Sequence, residues 1–166
     1  MTIDKNAASF IELITHIEAT HHDYIRQTAP QLLQMTDTLV EVHGDDVAEF
    51  QPLKMWVKAL MEDLMPHLMK EEQILFPAIK AMETGEQMNN CFGHIGNPIN
   101  MMMHEHNEAE QILKNIRKLT NNYQAPESAC KTWKTCFATL AEFDADLQAH
   151  IDIENNYLFA RAMKQA

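Results

Sequence analysis

His67-Leu68-Met69-Lys70-Glu71-Glu72-Gln73-Ile74-Leu75-Phe76 and His150-Ile151-Asp152-Ile153-Glu154-Asn155-Asn156-Tyr157-Leu158-Phe159 are two copies of one phrase, His-x-x-x-Glu-x-x-x-Leu-Phe. On an α-helix, residues i and i+4 share a face one turn apart. Each copy therefore aims an imidazole and a carboxylate at one point, beside a hydrophobic anchor. Two such helices facing each other inside a bundle supply two nitrogens and two carboxylates that can each reach two metal ions.

The rest of the chain reads as helix around these phrases. Ser9-x-x-Glu12 is a capping box ahead of Ile11, Leu13, Ile14 and Ile17. A main segment over residues 18–43 ends at Gly44, with Pro30 expected to kink it. A second runs from Asp46 to Met82 through Pro52, Pro66 and Pro77; Pro66, directly before His67, removes one backbone hydrogen bond. Residues 83–97 are the longest irregular stretch. Asn97-Pro98 then starts a helix reaching Thr120, and Pro126 opens the last one, ending near Met163. Short connections between long helices predict an all-α, antiparallel up-down four-helix bundle. Residues 1–166 are expected to form one domain.

Composition narrows the function. Hydrophobic residues make up 46% of the 166 positions and glycine only 4, which favours an ordered helical chain over a disordered one. The formal charge of −11 argues against a nucleic-acid partner, which needs clustered Lys and Arg. No apolar run approaches the length of a membrane span. Cys91, Cys130 and Cys136 are odd in number and lack C-x-x-C spacing. With no signal peptide visible, they predict free thiols in a reducing cytoplasm.

Nine histidines compete for a metal role, and periodicity chooses among them. A ligand in a bundle core must lie on its helix's apolar stripe. The second segment's stripe reads Leu53, Trp56, Val57, Leu60, Leu64, His67, Glu71, Ile74, Leu75. The last reads Trp133, Phe137, Leu140, Phe143, Leu147, His150, Glu154, Leu158. His106 continues Ile99, Met102, Met103, Ala109, Leu113 and Ile116, whereas His104 shares a polar face with Glu108, Gln111 and Asn115. His22 continues through Ile25, Ala29, Leu32, Thr36 and Leu39, with His21 as the alternative. His43 lies about 31 Å further along a continuous helix, too far to share the same ions. Glu110, one turn after His106, is a further candidate, but a polar helix edge explains it more simply. His16 and His94 have no supporting pattern.

The expected metal set is thus His22, His67, Glu71, His106, His150 and Glu154. Four imidazoles and two bridging carboxylates suit two iron ions, with an oxo or hydroxo bridge and open positions for O2, NO or peroxide. Structural zinc prefers four ligands, often thiolates. Ferritin-like sites carry Glu-x-x-His, unlike the His-x-x-x-Glu here.

HLMKEEQILFPAIK (67–80), EHNEAEQIL (105–113), TNNYQAPESACKTWK (120–134) and AHIDIENNYLF (149–159) together resemble the hemerythrin-like domain of the repair-of-iron-centres di-iron proteins. The resemblance spans roughly Ile11 to Ala162. It implies the same six ligands, with Glu71 and Glu154 bridging, and a cytoplasmic role in restoring iron–sulfur clusters after nitric oxide or oxidative damage. Longer members carry an N-terminal domain with a cysteine pair; here the hemerythrin-like part is expected to stand without it. With that resemblance, the leading reading is a stress-response di-iron protein that handles NO or labile iron for apo iron–sulfur proteins; the runner-up is a reversible O2- or NO-binding or sensing module, and the third a di-iron NO reductase or oxidase. No nucleophile–base arrangement or dinucleotide fingerprint points to another chemistry.

Overall fold

The computed structural model describes residues 3–86 and 93–165. The described residues contain helices and no strands. Four rods carry the fold. The first joins α1 (Phe10–His16) to α2 (Asp23–His43) through a π-helical turn at Ile17–His22. The second joins α3 (Phe50–Lys70) to α4 (Phe76–Thr84) through a π turn at Glu71–Leu75. The third is α5 (Gly96–Leu119). The fourth joins α6 (Lys131–Ile153) to α7 (Ala160–Gln165) through a π turn at Glu154–Phe159.

Contacts at the two ends fix the topology. At one end, His43 closing the first rod meets Phe50 opening the second and Trp133 opening the fourth. At the other end, Ile11 N–H donates to Glu83 at 3.0 Å and Arg161 donates to the Ala8 carbonyl at 2.7 Å. The start of the first rod therefore lies beside the ends of the second and fourth. Ile99, at the start of the third, packs into the same cluster. The rods run up, down, up, down.

Ser9 caps α1 in the reciprocal manner expected, its hydroxyl accepting from Glu12 N–H while Glu12 accepts from Ser9 N–H. Other boundaries differ from the sequence reading. The second rod begins at Phe50, not Asp46, so Pro52 falls within its first turn, where a missing N–H costs nothing. The third begins at Gly96, two residues ahead of the Pro98 start, and the fourth at Lys131, with Pro126 in the preceding turn. α3 passes through Pro66 without ending. Part of the 83–97 connection, with Cys91, lies outside the described residues.

Two apolar cores fill the bundle. One contains Ile25, Leu32, Leu53, Leu60, Leu64, Leu113, Phe143 and Leu147. The other contains Leu13, Ile17, Leu75, Phe76, Ile99, Met102, Leu158 and Phe159. Along every rod the two are separated by buried polar residues: His22, His67 with Glu71, His106, and His150 with Glu154. The site is a polar slab between two greasy blocks. Trp56 and Ile74, placed on the core stripe from periodicity, are 37% and 45% exposed. A π turn carries one extra residue, so the face rotates; Ile74 turns outward while Leu75 and Phe76 turn in.

A second polar cluster ties α5 to α6. Arg117 donates to both Asp144 oxygens at 2.6 Å and to Glu110 at 2.9 Å, and Tyr123 O–H donates to Asp144 at 2.6 Å. Asp144→Ala strands the arginine and the phenol together. Because Arg117 keeps partial solvent access, the expected loss is about 2–3 kcal/mol. That corresponds to a melting temperature lower by roughly 4–12 °C, read by thermal denaturation.

Candidate metal centre

All six side chains singled out from the sequence meet in the polar slab. His22, Glu71, His150 and Glu154 form one group whose ligand atoms all lie within 4.8 Å of one another, and His67, Glu71, His106 and Glu154 form a second. Both glutamates belong to both groups, and each presents one oxygen to each. Glu71 Oε1 lies 3.2 Å from His67 Nε2, and its Oε2 lies 3.4 Å from His22 Nε2. Glu154 Oε1 lies 2.9 Å from His150 Nε2, and its Oε2 lies 3.1 Å from His106 Nε2. The imidazoles pair off in the same way, His22 with His150 at 3.2 Å and His67 with His106 at 3.1 Å between Nε2 atoms.

Outer partners fix which nitrogen faces inward. His22 Nδ1–H donates to Glu72 at 2.7 Å and His67 Nδ1–H to Glu105 at 2.7 Å. His106 Nδ1–H donates to Asn155 Oδ1 at 2.9 Å. A carboxylate or amide oxygen can only accept, so a proton sits on Nδ1, and Nε2 faces the slab, where a cation can take the place of any second proton. Arg26 and Lys70 brace Glu72 and Glu105 from outside. Phe76 and Phe159, the anchors of the doubled phrase, stack on His22 and His106 at centroid distances of 5.7 and 6.1 Å.

The donor set fits a pair of cations. All four oxygens of Glu71 and Glu154 are buried without a hydrogen-bond partner among the described residues. Electron-rich atoms converging in a dry layer repel one another unless positive charge lies between them. Protons can partly serve. Burial pulls the His67 imidazole down, but the negative charge of Glu71, with Glu154 and Glu105, outweighs it and pushes it up to about 9. His22 and His106 are also raised, against burial, by Glu71 and Glu154 respectively. Burial and mutual repulsion push Glu71 up, yet His67 and His22 leave it below the usual carboxylate range. Glu154 is also held low against burial, chiefly by His150 and His106.

A pH dependence follows. A histidine raised in the folded state adds stability fully present below its unfolded value near 6.5 and lost as pH rises through the folded one. The metal-free protein should therefore melt at lower temperature as pH rises from 6.5 past about 9, where His67 loses its proton. Metal entering the site displaces such protons, so uptake should release protons and weaken as pH falls. Melting curves with and without chelator, and calorimetry in two buffers of different ionisation enthalpy, read both effects.

The other candidates sit elsewhere. Glu110 is committed to Arg117 and Gln148. His104 is exposed, facing Glu108. His43 closes α2, its Nε2 3.3 Å from Cys130 Sγ. His94 Nδ1 accepts from Gly96 N–H. His21, the alternative to His22 in the sequence reading, is only 5% exposed but lies outside both ligand groups. The π turn over Ile17–His22 brings both His21 and His22 inward. Sequence reasoning also missed Glu72, Glu105 and Asn155, although each is the immediate neighbour of an expected ligand.

Comparison with known proteins agrees with this geometry. Residues 13–162 match the model of the hemerythrin HHE cation-binding domain. The chain belongs to the hemerythrin HHE family. It is 39% identical over 163 residues to the iron–sulfur cluster repair protein YtfE of Musicola paradisiaca, covering 97% of this chain and 70% of that protein. Against the iron–sulfur cluster repair proteins YtfE of Escherichia coli and Escherichia fergusonii it is 38% identical over 160 residues, covering 96% of this chain and 69% of each. A cation-binding family and two buried His/Glu groups sharing both carboxylates fit a di-iron site. No helix among the described residues is long and apolar enough to cross a membrane.

Proposed function

We propose that His22, His67, Glu71, His106, His150 and Glu154 hold two iron ions, and that the chain handles nitric oxide or labile iron in support of iron–sulfur cluster repair under nitrosative or oxidative stress. The observation that carries this reading is the sharing of both glutamates, one oxygen toward each histidine pair. Single-ion sites do not need two carboxylates turned outward in this way. The names of the YtfE relatives supply the repair role. Iron in such a site supplies binding of small diatomic ligands and one-electron chemistry.

The chain's own residues set the terms of that chemistry. Glu72, Glu105 and Asn155 hold three imidazoles in one tautomer and rotamer. Phe76, Phe159 and the two apolar cores exclude water from above and below. A cavity of about 150 Å³, lined by Pro66, Lys70, Glu105 and Leu147, reaches His67 and His106 from the side. It is large enough for O2, NO or peroxide and too small for a folded protein, so a protein partner would be served from the surface.

The test is to load the protein with iron, expose it to NO, and incubate it with an apo iron–sulfur protein under reducing conditions. Return of cluster absorbance in the acceptor, dependent on His67 and His150, is expected. Reversible gas binding with no iron reaching the acceptor would replace this reading with that of a gas-binding module.

A further inference from the structure

Three of the four inward-facing imidazoles donate their Nδ1–H to a side-chain oxygen; His150 is the exception, its Nδ1 buried without a partner. With Nε2 given to the metal beside Glu154, as proposed, Nδ1 carries the hydrogen and is a stranded donor. Next to it stands His21, whose ring lies parallel to that of His150, 5.5 Å between centroids and 4° between planes. His21 Nδ1–H donates to Asp146 Oδ1 at 2.9 Å. That bond fixes the tautomer and leaves His21 Nε2 as an acceptor. His21 Nε2 and Asp146 Oδ2 are also buried and unpartnered. One donor and two acceptors are thus stranded on three side chains in mutual proximity, Asp146 being one helical turn before His150.

We infer that one buried water molecule bridges His150, His21 and Asp146, and that His21 and Asp146 are positioning residues for His150. The count closes: water accepts from His150 Nδ1–H and donates its two hydrogens to His21 Nε2 and Asp146 Oδ2. Two hydrogen bonds of about 2.8 Å can span the gap between the stacked rings. Direct contact cannot serve all three atoms, because Asp146 is already turned toward His21. The water gives His150 the outer support that Glu72, Glu105 and Asn155 give the others. This inference rests on the proposed ligand role of His150, which fixes the hydrogen on Nδ1.

Two measurements test it. A high-resolution crystal structure of the iron-loaded protein should show a water within about 3.2 Å of all three atoms. A dry gap, or Asp146 bonded directly to His150, overturns the proposal. In solution, iron release to a ferrous chelator is timed for the parent, His21→Leu, His21→Asn, Asp146→Leu and Asp146→Asn, each checked for folding by circular dichroism. The leucine variants keep bulk but remove the polar atom. They should release one of the two irons about 10–100-fold faster, as loss of outer partners commonly does. The asparagine variants, which still offer the water a polar atom, should stay within a few-fold of the parent. Leucine variants that match the parent, or leucine and asparagine variants that behave alike, overturn it. A parent that binds no iron instead defeats the proposed function and with it the premise that fixes the His150 tautomer, whereas an iron-loaded parent with a dry gap defeats this inference alone.

Discussion

Glu71→Ala protein should retain at most one iron per chain, whereas His104→Ala should retain as much as the parent. Glu71 is fully buried and its two oxygens face opposite histidine pairs, so its loss removes a donor from both positions. It also removes negative charge that offsets the repulsion between two cations a few ångströms apart. His104 faces solvent and Glu108, and removing it leaves the slab intact. Glu154→Ala should behave like Glu71→Ala, since its oxygens divide in the same way. Iron content by mass spectrometry after gel filtration reads the difference. Iron lost from His104→Ala but kept by Glu71→Ala would place the metal elsewhere.

The largest stability effect should come from the aromatic anchors. Phe76 is fully buried and stacks on His22. Phe76→Ala opens a cavity at the floor of the polar slab and should cost about 3–5 kcal/mol. At this chain length the melting temperature should fall by roughly 6–20 °C. The iron held near His22 should also become easier to chelate, because the ring that fixes the imidazole is gone. Phe76→Leu should recover most of the stability. A melting temperature within a degree or two of the parent for Phe76→Ala would show that the stack carries little weight.

Much of this arrangement was legible in the sequence because each signal is periodic and local. An i,i+4 His–Glu pair survives any small error in helix boundary. The apolar stripes on either side of His22, His106 and His150 separated core histidines from His104. The π turns were not legible. A π turn adds one residue to a helix without changing composition, and its cost is met by the packing and ligand geometry around it. That extra residue turned Ile74 outward and drew His21 into the interior. Helix starts were misplaced for a related reason: Pro126 and Asp46 carry start chemistry, but the adjoining residues are used in turns first. The outer partners were hidden because they act across the bundle. Glu72 lies beside Glu71 in sequence but serves His22, and Glu105 lies beside His106 but serves His67.

The most direct measurement is anomalous X-ray scattering at the iron absorption edge from crystals of the iron-loaded protein. Two peaks roughly 3–4 Å apart are expected, as in other bridged two-metal sites. One should lie between His22 and His150, the other between His67 and His106, with Glu71 and Glu154 spanning both. A single peak, or peaks away from these four imidazoles, would contradict the shared-carboxylate arrangement on which the functional reading stands.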